Sequence, residues 1–149
     1  MKDVSQKALE SGANKVILVK RWKGGIGSIT LDSLPFNYGK SVTLFISGVK
    51  TQLELGKRTV IRDGLVITFE QNLSKTVKNL AEVFSNFLNV PLIEEKEGLH
   101  ECYKASAHFT GFRNDETKIA FTMPPMVKEI GPILIVKSIR ENNHGEEIH

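Results

Sequence analysis

Cysteine is nearly absent from this 149-residue sequence: Cys102 is its only thiol. One cysteine closes no internal disulfide and builds no cysteine-rich metal cluster, so a reducing, intracellular setting is expected. Long apolar runs are also missing. The longest, such as Ile133–Val136, are strand-sized, far short of the ~20 residues that span a bilayer. The opening MKDVSQKALE has no apolar stretch of the signal-peptide kind, and a cytoplasmic chain without membrane attachment is expected. A strong charge of one sign is lacking too. The net charge of +3 favours an anionic partner only weakly. What remains is an ordinary globular composition, 40% hydrophobic and 25% charged, in a chain long enough to bury a core without disulfides or metals.

Constellations for catalysis are equally scarce. The histidines are His100, His108, His144 and His149. Two fall in a polar tail and one in an acidic loop, while His108 falls in a strand, where a half-buried structural histidine is the usual case. Their spacing makes no metal site, and Cys102 with His108 makes a poor nucleophilic pair. Glu94 and Glu95 are adjacent in an acidic loop, an arrangement that does not point to a catalytic carboxylate pair. The glycine-rich WKGGIGS at 22–28 follows a strand and leads into another strand rather than a helix. It also lacks the lysine and hydroxyl placement of a phosphate-binding P-loop. No enzyme, cofactor or metal is expected.

Hydrophobic periodicity orders the chain. Residues 3–11 read as a short helix with Val4, Ala8 and Leu9 on one side, ended by Ser11-Gly12. KVILVK at 15–20 reads as a buried strand, the glycines 24, 25 and 27 force a turn, and a second strand starts at 28–31, so 15–31 is a hairpin. Ser41–Val49 is a strand interrupted by Gly48, which marks a bulge or a close backbone approach. Leu65–Phe69 follows the Asp63-Gly64 turn signal. Residues 74–89 make the best helix: Ser74 caps it, Val77, Leu80, Ala81, Phe84, Phe87 and Leu88 form its core face, and Lys75 and Lys78 lie off that face. Pro91 ends it. Strands are then expected over about 102–112, 117–122 and 132–139, with a turn at Arg113–Glu116 and Pro124-Pro125 breaking the pairing between the last two. The pattern predicts an α/β or α+β sheet, mostly antiparallel in its C-terminal part. One domain over 1–140 is expected, followed by a polar, flexible tail over 141–149.

Binding residues are easier to find than catalytic ones. Lys15, Lys20, Arg21 and Lys23 fall within 15–23, a segment without a single acid. Lys20, Arg21 and Lys23 flank Trp22 at a strand end, which suits a stacked base and a sugar-phosphate backbone. The alternative is that Trp22 packs into the core while the cations snorkel. Lys50, Lys57 and Arg58 form a second basic cluster, which Lys75 and Lys78, and Arg113 with Lys118 across a hairpin, extend. The glycines 24, 25 and 27 bring backbone amides and neighbouring cations near a phosphate.

The stretches GANKVILVKRWKGGIGSITL at 12–31, LFISGVKTQLELG at 44–56 and LAEVFSNFLNVPL at 80–92 resemble the archaeal Brix-domain proteins of ribosome biogenesis. In that family a strand leads into a basic, glycine-rich turn, here Arg21-Trp22-Lys23-Gly24-Gly25-Ile26-Gly27. A later strand carries Ile-Ser-Gly-Val-Lys, here Ile46 to Lys50. Ile26 stands where the family pattern has proline. The family's first strand, with its basic segment and helix, has no counterpart, so the first lobe is expected to be incomplete. The resemblance implies a fold similar to the anticodon-binding domain of some aminoacyl-tRNA synthetases, a sheet with helices packed on it. It also implies a protein that binds ribosomal RNA, with ribosomal or assembly proteins as further partners, during subunit maturation. Arg21, Lys23 and Lys50 are the RNA contacts it implies, supported by Lys20 and the glycines, Gly48 among them. The competing expectation is a protein-interaction module that docks a ribosomal protein or a second copy through an exposed sheet edge.

Overall fold

The computed structural model describes residues 2–33, 40–51, 64–70, 74–94, 105–123 and 126–143. Among these the chain is α+β, with two α-helices and eight strands in one mixed sheet, hydrogen-bonded in the order β1-β2-β3-β8-β7-β6-β4-β5. Two compact units divide it, one of Met1–Ile46 with Ser138–His149 and one of Ser47–Lys137.

In the first unit, α1 (Lys2–Glu10) precedes the antiparallel pair β1 (Lys15–Trp22) and β2 (Gly25–Ser33), and β2 pairs with β3 (Lys40–Lys50). The helix stops where Gly12 turns to φ +85°, a conformation that only glycine adopts without cost. Cross-strand partners share a sheet face. Ile29 faces Leu44 and Leu31 faces Val42, and all four are buried. On the opposite face the hydroxyls of Thr30 and Thr43, both buried, meet at 3.1 Å. That pairing satisfies two polar groups which would each be costly alone. Val4 and Leu9 of α1 are each 45% exposed, so the apolar side of this helix is only half covered.

The second unit is built on a parallel core. β4 (Leu65–Phe69) pairs in parallel with both β5 (Leu92–Glu94) and β6 (Ala105–Gly111), and α2 (Lys75–Leu88) makes the β4-to-β5 crossover. Parallel neighbours require such a crossover. β6 then pairs antiparallel with β7 (Thr117–Met123), and β7 with β8 (Met126–Asn143). Phe69, Phe109 and Ile119 line up across β4, β6 and β7. Val77, Leu80 and Ala81 of α2 are buried, and Phe84 meets Phe109 edge to face at 5.3 Å. On the reverse face His108 Nδ1 is 2.7 Å from the Thr68 hydroxyl and Nε2 is 3.7 Å from Glu70. His108 is thus a half-buried structural histidine.

Several boundaries differ from expectation. Helix α2 is capped by Ser74, whose hydroxyl accepts from the Val77 amide. Its end is set by Asn89 in the left-handed conformation (φ 56°), two residues before Pro91, and Leu88 is 36% exposed rather than core. The parallel strand β5 was too short to show a period. β8 starts at Met126, well before 132, and runs to Asn143, past Arg140 where the tail is expected to begin. Pairing of β7 with β8 extends to Met123 and Met126, so it continues up to Pro124-Pro125, which themselves lie outside the described residues.

Candidate nucleic-acid interface

In the first unit the β1–β2 hairpin presents the basic segment. Its turn is only Lys23-Gly24, with φ of +49° and +84°. Two successive positive φ values give the turn whose twist matches the flanking strands. The expected turn at Gly24, Gly25 and Gly27 is therefore corrected: Gly25 and Gly27 belong to β2. Trp22 pairs with Gly25 and Arg21 with Ile26, whereas Lys20 pairs with Ser28, leaving Gly27 as the extra residue of a bulge. A Cβ on Gly27 would stand 2.5 Å from the Trp22 Cβ and 3.3 Å from its amide nitrogen. Only glycine lets the two strands pass this closely.

The consequence is the placement of Trp22, which is 70% exposed. The alternative of a core tryptophan is thereby corrected. Lys20, Arg21 and Lys23 are exposed beside it. The hairpin tip thus offers an indole face and three cations, the pair of features that single-stranded nucleic acid meets on its bases and phosphates.

In the second unit a cleft of about 520 Å³ lies among the β3 residues Ser47 to Lys50, Phe112, Arg113, Glu116, Lys118 and the β8 residues Ile133 and Ile135. A Cβ at Gly48 would meet Ile135 Cγ1 at 3.4 Å, an ordinary van der Waals contact, so no close backbone approach requires glycine at this edge of the cleft. The β6–β7 connection is a short 3-10 turn, Arg113–Asp115, closed by hydrogen bonds from the Phe112 amide to the Glu116 carbonyl (2.7 Å) and from the Glu116 amide to the Arg113 carbonyl (2.9 Å). The Ser47 hydroxyl donates to the Glu116 carboxylate.

The topology thus gathers Lys50, Arg113 and Lys118, which lie far apart in sequence, around one cleft. Lys75 and Lys78 are exposed on α2 and do not line it. Lys57 and Arg58 lie outside the described residues. Phe112, 38% exposed with the Arg113 guanidinium 5.0 Å from its ring centre, was not anticipated. The signal available was an aromatic beside a cation at a hairpin turn, the same pairing as Trp22 with Lys23. Among the described residues no group of three or more His, Cys, Asp or Glu side chains gathers to hold a metal, and no helix is long and apolar enough to cross a membrane.

No family model matches this chain, and no curated protein matches it. Among solved structures, the chain is similar to a protein from Aeropyrum pernix K1 described as a probable ribosomal biogenesis protein. The TM-score is 0.65 at 17% identity, over 91% of this chain and 73% of the other. At that identity the likeness is one of fold, and the fold this chain shares with that protein is α+β.

Proposed function

We propose that this chain is a non-catalytic ribosome biogenesis factor of Brix type that contacts ribosomal RNA in the cytoplasm through the tip of the β1–β2 hairpin. The observation that carries the reading is Trp22, 70% exposed between cations in a segment without acids. An indole held in water at a strand end loses burial energy, and base stacking offers a use for it worth about 1–3 kcal/mol per base. The fold likeness to a protein described as a probable ribosomal biogenesis protein supports the same assignment, as does the Brix-like pattern in 21–27 and 46–50.

Contacts from Lys20, Arg21 and Lys23 go to phosphates, which position the RNA without reading sequence. The test is a titration of ribosomal RNA fragments across a salt series. A log–log salt slope of roughly −0.7 per neutralised phosphate is expected for single strands. Arg21→Glu with Lys23→Glu should flatten that slope by about 1.4 and weaken binding to every fragment. Unchanged affinity in the double variant would sink the reading.

A specific observation favours protein docking as a second reading. Ile17 and Val19 are 54% and 50% exposed, yet they pair with buried Leu31 and Ile29, so they continue the first unit's core face onto β1, which ends the strand order among the described residues. An apolar sheet edge left in water invites a partner. Light scattering behind size-exclusion chromatography discriminates self-association: a monomer at high concentration would rule out docking of a second copy.

A further inference from the structure

We propose that the second-unit cleft is a separate binding site for one unpaired nucleotide of a single-stranded RNA, its base stacked on Phe112 and its phosphate held by Lys50 and Arg113. The proposal deepens the RNA-binding reading and rests on it, but it uses none of the hairpin residues. Four observations carry it.

The first is composition. Three cations and one carboxylate border the cleft, and the carboxylate of Glu116 accepts a hydrogen bond from Ser47. The site therefore favours an anion. The second is the aromatic wall. Phe112 is 38% exposed, and Arg113 stands over its ring at 5.0 Å. A ring that is partly open and partly capped by a guanidinium suits a base and its phosphate together.

The third observation is the floor. Ile133 is buried and Ile135 half-buried, and Gly48 lies beside Ile135 with no side chain of its own, leaving an apolar base for a flat ring. At about 520 Å³ the cleft falls within the range of small-ligand pockets. The fourth is rigidity. The two backbone hydrogen bonds that close the 112–116 connection fix the backbone that carries Phe112 and Arg113 before any ligand arrives, which lowers the ordering cost of binding. A base within a duplex has no free face to offer such a ring, so the site selects unpaired nucleotides.

The test is fluorescence anisotropy of the full chain with fluorescein-labelled hexauridylate, with a short RNA duplex as comparison and uridine monophosphate as competitor. Phe112→Ala should weaken hexauridylate binding by about 5- to 150-fold and leave duplex binding unchanged, while Phe112→Tyr should keep wild-type affinity. Lys50→Glu with Arg113→Glu should weaken the hexamer and flatten its salt slope by about 1.4. Equal hexamer affinity in Phe112→Ala and wild type would overturn the proposal. Displacement of the hexamer by uridine monophosphate at matched nucleotide concentration would also overturn it, in favour of a free-nucleotide site. Failure here is distinct from failure of the hairpin reading. If only the Arg21→Glu, Lys23→Glu variant loses RNA, the hairpin stands and the cleft falls. If only the cleft variants lose it, the reverse holds.

Discussion

Gly27→Ala is the sharpest probe of how the sequence presents its indole. The new Cβ would lie 2.5 Å from the Trp22 Cβ and 3.3 Å from the Trp22 amide nitrogen. Carbon atoms pack best at about 3.5–4.0 Å, so roughly an ångström of separation has to be found. It cannot come from a rotamer change, because the atom met is the first of the side chain and is fixed to the strand. The bulge at Lys20 and Arg21 must open or the hairpin tip must peel away. Overpacking of this kind costs about 1–3 kcal/mol, and the same distortion turns Trp22 from its present attitude. RNA affinity should therefore fall about tenfold for every 1.4 kcal/mol transmitted to the complex. Two internal controls make the test strict. Gly25 lies in the same strand, and its Cβ would meet nothing nearer than the Trp22 carbonyl oxygen at 4.0 Å, while a Cβ on Gly111 would meet nothing within 4 Å. Alanine at either should shift stability by no more than about 0.5 kcal/mol. Denaturant melts and RNA titrations of the three variants, run in parallel, decide it. If Gly27→Ala behaves like Gly25→Ala, the close-approach argument is wrong.

Further predictions bear on strain, polar pairing and the core. Lys23 holds a φ of +49°, which costs a non-glycine residue about 1–2 kcal/mol. Lys23→Gly should stabilise the hairpin in denaturant melts while weakening RNA binding, and a loss of both would contradict the account. Thr30→Val should destabilise by about 1–3 kcal/mol because the buried Thr43 hydroxyl loses its partner at 3.1 Å. The double variant Thr30→Val, Thr43→Val should recover most of that loss, and a double-mutant cycle with no coupling would refute the pairing. Phe109→Ala removes a fully buried ring from beneath Phe84 and should cost about 3–5 kcal/mol in calorimetry. A loss below 1 kcal/mol would mean that the ring is not part of the core.

How much of this was legible follows from the reach of each signal. Local chemistry was read well. The apolar period and Ser74 placed α2 to within a residue or two, and the Arg113–Glu116 turn separated two strands that pair as expected. The hairpin at 15–31 was also visible, but its glycines misled. Three of them in four residues suggested one broad turn, whereas two serve the strand: Gly27 makes room for Trp22 and Gly25 pairs with it.

Long-range arrangement was not legible. β5 is three residues long, too few to show any alternation, so its parallel pairing with β4 could not be read. β8 exceeds its expected length at both ends, because the apolar run Ile133–Val136 marks only its middle and the polar stretch from Arg140 to Asn143 carries no apolar signal. The cleft is the clearest case. Lys50 and the Arg113–Lys118 pair were each visible as basic residues, but nothing in a linear pattern says that β3, β8 and the β6–β7 connection supply one rim.

Intrinsic fluorescence of the chain tests the central claim most directly, because Trp22 is its only tryptophan. A titration with a single-stranded ribosomal RNA fragment at low salt should quench and shift the emission in step with binding measured by anisotropy, and added salt should reverse both together. Binding that leaves the Trp22 emission unchanged would contradict the account, since the RNA would then be held without touching the hairpin tip.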